Sequence, residues 1–359
     1  QKRLILTSWV IILSISTFTL SMCGTFLVRS GILNSIHTFA NDPERGLFIL
    51  IFLFILIFLS IIIFFLFNKK DENNKENFFW LSKETAILIN NWFMMYFLSV
   101  VLIGTVYPIF LDVLTTNKIS VGPPFYHKLI IPFLIPFLIM MGIGSRLKWI
   151  KSNLEDKAQL ILALIVSILI AVLIVRNLDV KFLINITLIS SAFYLFLMTS
   201  RDFFIKKEKN NSQKIAHFGF SLLILSILIN NLFSTEIITN LKVGQQFENS
   251  NSKILFKNII QKEEKNYKSI VGNFIIENDN GKTEEFFPEL RIYNQPKIVT
   301  SEADIKTTFI TDRFMTINIV QNQEYFNIRY QAKPFMIWIW ISVMLISFGG
   351  IISFFKKRI

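Results

Sequence analysis

Three histidines, one cysteine and a handful of arginines carry most of the metal-ligand and nucleophile chemistry open to this 359-residue chain. His37 sits in the stretch GILNSIHTFANDPERG, with Arg29 and Arg45 on either side. An imidazole with a free ring nitrogen is a common ligand for a transition metal or haem iron, and nearby guanidinium groups suit carboxylates. The same residues also describe an interfacial loop whose histidine bonds to Asn34 or Asp42. His217 opens the run SQKIAHFGFSLLILSILINN, about one helical turn inside Lys214. An ionisable residue within an apolar run is a functional candidate, although an imidazole so near a boundary can also snorkel or bond to a neighbouring helix. His127 follows Val121-Gly-Pro-Pro-Phe-Tyr126, where the prolines stiffen a turn, and reads equally as an ordinary interfacial residue. Cys23, inside an apolar run, reads as a small packing residue; as the one cysteine it excludes internal disulfides and CxxC chemistry. So few His and Cys make a self-contained zinc site an unlikely design. The sequence holds no phosphate-loop, nucleophile-elbow, zincin or dinucleotide-binding motif, and no convincing pair of carboxylates.

Elements of a particular kind must position these residues. The chain is 52% hydrophobic and 17% charged, with 38 Phe and a mean hydropathy of +0.51. Soluble domains carry about 25% charged residues, so an ordinary cytosolic enzyme is excluded and a polytopic membrane protein is expected. Eight runs approach the roughly 20 apolar residues a bilayer-crossing helix needs: 4–28, 46–67, 86–110, 129–145, 158–175, 182–199, 215–233 and 335–355. The fourth carries Pro132 and Pro136, and the sixth is short. With eight spans, eighteen basic residues fall on one side of the short connections and six on the other. That bias places both termini in the cytoplasm, so the net charge of +12 reflects loop topology rather than nucleic-acid binding. Trp338 and Trp340 begin the last span; they read as an interfacial aromatic belt or as a flat wall for a planar ligand. Glu84, Asn90-Asn91 and Asn230-Asn231 are candidate polar contacts between helices.

Residues 234–334 break this pattern. Ile254–Ile260, Ser269–Ile276, Thr316–Val320 and Tyr325–Tyr330 alternate with period two between turn signals such as Asn278-Asp-Asn-Gly281. The expected fold is therefore an all-α polytopic bundle of about eight transmembrane helices, with a small β-rich extracytoplasmic domain between the last two. The expected parts are a seven-span membrane domain (1–233), the β-rich domain (234–334), and a final span with a basic cytoplasmic tail (335–359).

Several blocks together resemble the CcmF family of cytochrome c maturation haem lyases. These are Gly24-Thr-Phe-Leu-Val-Arg-Ser-Gly31, Ser35-Ile-His37, Asp42-Pro-Glu-Arg-Gly46, Glu84 through Asn91, Gly104-Thr-Val-Tyr-Pro108, Ile119-Ser-Val-Gly-Pro-Pro124 and Ala216-His-Phe-Gly219. They continue in order through Phe287-Pro-Glu-Leu-Arg291, Ser301-Glu-Ala-Asp304, Lys333-Pro and Trp338-Ile-Trp340. The resemblance implies a role in covalent haem attachment. Haem arrives on a membrane-anchored chaperone of the CcmE type, is held on the outer face between two histidines beneath a tryptophan-rich loop, and meets the reduced CxxCH thiols of apocytochrome c. A partner of the CcmH/CcmI type brings that substrate. His37 matches the second outer histidine and would be the catalytic position, binding haem transiently, with Arg29, Arg45, Trp338 and Trp340 as further haem-binding candidates. His217 matches one of two intramembrane histidines that hold a haem b.

The tryptophan-rich loop, the first outer histidine and the first intramembrane histidine of the family match nothing in this chain. The resemblance thus implies a C-terminal half, a fragment or the product of a split gene, whose lyase activity needs an N-terminal CcmF-type partner. The implied location is the bacterial inner membrane with residues 234–334 periplasmic, or the mitochondrial inner membrane if organellar. A non-catalytic scaffold of the maturation complex and a haem or solute transporter are the alternatives, the latter disfavoured by the few polar residues at mid-span.

Overall fold

A computed structural model describes residues 7–29, 43–67, 79–115, 119–153, 157–176, 182–204, 211–249, 252–278, 281, 283–320 and 324–355. Among these, eight helices are long and apolar enough to cross a membrane. They are α1 (Thr7–Arg29), α2 (Pro43–Phe67), α3 (Lys83–Leu114), α4 (Pro123–Gly144), α5 (Lys157–Val175), α6 (Phe182–Phe204), α7 (Asn211–Phe233) and α8 (Met336–Phe355). The chain is a multi-pass membrane protein of the expected class. Lipid offers backbone groups no hydrogen-bond partner, so helices satisfy them internally. Hydroxyls in the spans do likewise: Ser14, Thr17, Ser99 and Thr105 each donate to the carbonyl four residues earlier.

The chain divides into two compact units, residues 1–137 with 144–154, and 138–143 with 155–359. In the first, α4 begins at Pro123, six residues before the apolar run at 129 that marked its expected start. Pro123 and Pro124 open the helix instead of turning the chain, because a first-turn proline loses no helical hydrogen bond. Tyr126 then lies over Gly104, where even a Cβ would come within 2.7 Å of the phenol oxygen. The buried Glu84, one residue inside α3, accepts the Ile150 N–H with both carboxylate oxygens at 3.0 and 3.1 Å. Ile150 has a φ of 71°, strained for a β-branched residue. Backbone bonds from Lys83 N–H to the Lys148 carbonyl and from Ser152 N–H to the Leu81 carbonyl close the knot. Glu84 therefore pins the start of one span to the loop beyond another, where contact between helices was expected.

The second unit carries a β-sandwich between α7 and α8. One sheet has the order β1 (Thr235–Leu241), β10 (Phe326–Pro334), β9 (Thr311–Ile319), β8 (Asp304–Thr307). The other runs β2 (Gln246–Asn249), β3 (Ser252–Glu263), β4 (Tyr267–Asn278), β6 (Glu289–Tyr293), β7 (Val299–Glu302), with β5 (Thr283–Phe286) also pairing to β4. Alternate residues meet between the sheets: Ile254, Phe256, Phe274 and Ile276 from one, Met315, Ile317, Ile328 and Tyr330 from the other. Phe256 and Phe274 stack with centroids 4.3 Å apart.

Burial also lifts the Tyr330 phenol above its ordinary pKa near 10. The folded sandwich then holds this proton more tightly than the unfolded chain, so stability is full below about pH 10 and falls as pH rises beyond it. Tyr330→Phe is expected to flatten that loss and move the alkaline unfolding midpoint upward, as read by circular dichroism of the purified chain across pH 9–12.

Candidate functional site

The best-described candidate is His217, and its position follows from packing on the far side of its helix. Ala216 and Gly219 bracket it in sequence, and both face α8. A Cβ on Gly219 would lie 3.0 Å from the Ile346 nitrogen and the Ser342 carbonyl oxygen; one on Gly349 would lie 2.8 Å from the Ala216 nitrogen. The Ser212 hydroxyl donates to the Gly349 carbonyl at 2.7 Å. Small residues thus let two backbones touch, the usual way membrane helices associate. Each helical residue advances about 100°, so a face committed to α8 by Ser212, Ala216 and Gly219 turns position 217 away from it.

The flank beside His217 belongs to α6. Phe218 stacks on Phe203 with centroids 4.9 Å apart and meets Phe196 and Phe204 at 5.9 and 6.0 Å. One turn along, the buried hydroxyls of Ser221 and Thr199 share a hydrogen bond of 2.6 Å. His217 itself is half-buried. It is the one imidazole in the second unit, which has no cysteine.

The other candidates are scattered. Arg29 ends α1 and Arg45 is the third residue of α2; both are exposed and bracket the segment holding His37, which lies outside the described residues. His127, the fifth residue of α4, is exposed. Trp338 is tied into the fold: its indole N–H donates to the Phe309 carbonyl at 3.1 Å, and its ring meets Phe309 edge-on at 4.8 Å. Trp340 is 63% exposed. In the first unit, a groove of about 410 Å³ lies among α1, α2 and α3, lined by Ile12, Thr19, Ile61, Phe64, Met95 and Leu102 among others. Its walls hold no ionisable group, and helix periodicity alone gave no sign of it.

Comparison with known proteins gives these positions their context. Residues 232–334 match the family model described as the CcmF C-terminal beta-sandwich. The whole chain aligns with cytochrome c-type biogenesis protein CcmF of Pseudomonas aeruginosa at 28% identity, covering 56% of that protein, and with CcmF of Escherichia coli at 26%, covering 57%. Over its whole length the chain is similar to the C-terminal part of CcmF proteins. A solved structure named cytochrome c heme lyase CcmF shares the fold at a TM-score of 0.71 and 18% identity, covering 98% of this chain and 55% of that one. The chain thus spans about half the length of the CcmF proteins it matches.

Among the described residues no group of three His, Cys, Asp or Glu could hold a metal ion. That excludes a zinc-type centre built from them, but haem iron makes a smaller demand: one or two axial nitrogens and an apolar surround. His217 is an imidazole one residue from Phe218, which packs with Phe196, Phe203 and Phe204, so a nitrogen donor beside an apolar surround is present there.

Proposed function

We propose that this chain is the C-terminal half of a haem lyase that attaches haem to apocytochrome c at the outer face of the bacterial inner membrane. The observation that supports the reading is the match of the whole chain to about half the length of CcmF proteins, together with the close α7–α8 packing beside His217. Both termini then lie in the cytoplasm and the sandwich in the periplasm, in keeping with the loop charges.

In this reading His37 would hold the transferred haem. Arg29 and Arg45, at the ends of the two helices flanking that segment, pair with propionate carboxylates. Haem supplies the vinyl groups across which the CxxCH thiols add, each forming one S–C bond while its proton passes to the other vinyl carbon. His217 would be one of the residues that hold a separate haem b within the membrane. The second ligand of each, and the tryptophan-rich loop, come from an N-terminal CcmF-type partner. Haem is delivered by a CcmE-type chaperone and apocytochrome by CcmH/CcmI-type subunits.

His37→Ala tests the reading. Coexpressed with the N-terminal half, the variant is expected to accumulate normally in the membrane while holocytochrome c, measured by haem-stained gel, falls to background. Maturation near the wild-type level would remove the catalytic role from His37 and leave a scaffold that docks the chaperone or apocytochrome.

A further inference from the structure

The turn joining β8 to β9 carries the wrong residues for a water-exposed turn. Thr308 and Thr311 close it: the Thr308 N–H and hydroxyl donate to the Thr311 carbonyl at 3.1 and 2.7 Å, and the Thr311 N–H returns to the Thr308 hydroxyl at 3.0 Å. The two positions between them normally go to Gly, Asn, Asp or Pro. Here they are Phe309 and Ile310, each 63% exposed. Ile305 on β8, also exposed, pairs in register with Phe314 and continues the apolar surface along the sheet edge.

The height of this turn is set by a membrane span. The Ile310 carbonyl accepts the Phe335 N–H at 2.7 Å and the Phe309 carbonyl accepts the Trp338 indole, so both tip carbonyls bond to residues at the start of α8. Two consequences follow. The tip sits where α8 enters the bilayer, the level at which Trp side chains concentrate. Its carbonyls, already bonded, also escape the penalty that bars bare peptide groups from lipid. Beside it, Lys333 reaches over the Phe314 ring at 5.5 Å, a stem on apolar surface with an ammonium end suited to headgroup phosphates.

We propose that Phe309 and Ile310 insert into the outer leaflet as a lipid-embedded wedge, with Trp338 as the residue that positions it. The sandwich then has three attachments to the membrane: α7, α8 and this turn. The proposal is independent of haem.

The lone cysteine makes the test direct. In a Cys23→Ser background, the full chain is spin-labelled at F309C or I310C, reconstituted in phosphatidylcholine–phosphatidylglycerol vesicles, and its collision rates with oxygen and a water-soluble nickel chelate are compared. M344C, on α8, supplies the lipid reference, and V243C, on the sandwich, the aqueous one; both native residues are exposed. The expected result is an oxygen-to-nickel ratio at 309 and 310 several-fold above that at 243 and close to that at 344. A ratio like that at 243 at both positions overturns the wedge. Low collision with both reagents overturns it too, in favour of a protein partner covering the turn.

Discussion

Gly349→Val should separate α7 from α8 and destabilise the second unit. The new branched side chain would meet the Ala216 nitrogen and Cβ and the Ser212 carbonyl, all within 3.0 Å of where its Cβ must lie. These are backbone atoms and a methyl stem, which cannot swing aside as a long side chain would. Overpacking of this kind costs about 1–3 kcal/mol, sometimes more, and the Ser212 bond to the Gly349 carbonyl would be lost with it. At roughly 2–4 °C per kcal/mol for a body of this size, the thermal midpoint in detergent should fall by several degrees. Gly350→Val is the control, since a Cβ there meets nothing within 4 Å. A Gly349→Val chain as stable as Gly350→Val would show that the seam bears no strain.

On the proposed haem reading, His217→Ala should erase the reduced-minus-oxidised b-type absorbance expected of the chain purified with an N-terminal CcmF-type half, without lowering protein yield. Loss of an axial nitrogen removes the iron's bond, whereas loss of an interfacial imidazole leaves the spectrum untouched, so an unchanged spectrum would refute the ligand role. Because Ala216 and Gly219 set the rotation of α7 against α8, Gly349→Val should also broaden or diminish that absorbance although it lies on another helix. The two variants together separate ligation from aim.

The membrane part of this fold was legible because the bilayer demands long apolar runs, and all eight were found. Its start points were less so: Pro123-Pro124 read as a turn, since nothing in the sequence reveals that Tyr126 packs over Gly104. In the sandwich, the legible strands were those with alternating stretches, such as Ile254–Ile260 within β3 and Ser269–Ile276 within β4, although β3 carries a register shift between Phe256 and Asn258. Short strands such as β7 and β8, at four residues each, hold too few apolar positions to show a period. His217 could be picked out as an ionisable residue in a span, but its direction depends on Gly349, far along the chain. Trp338 was noticed for its type, while its bond to the Phe309 carbonyl depends on a turn that alternation cannot predict.

The passage from β10 to α8 has a consequence for how partners dock. Phe335 alone separates the last strand residue, Pro334, from Met336 of the span. Its N–H is held by Ile310, its carbonyl accepts the Trp338 and Ile339 amides, and the Pro334 carbonyl is taken by Asn230 of α7 at 2.6 Å. A domain hung on a flexible linker loses orientational freedom each time it is captured, and that loss weakens binding. Here the orientation is fixed during folding, so an incoming protein meets a surface already held at one height and angle above the membrane. Weak contacts then suffice for a short-lived complex.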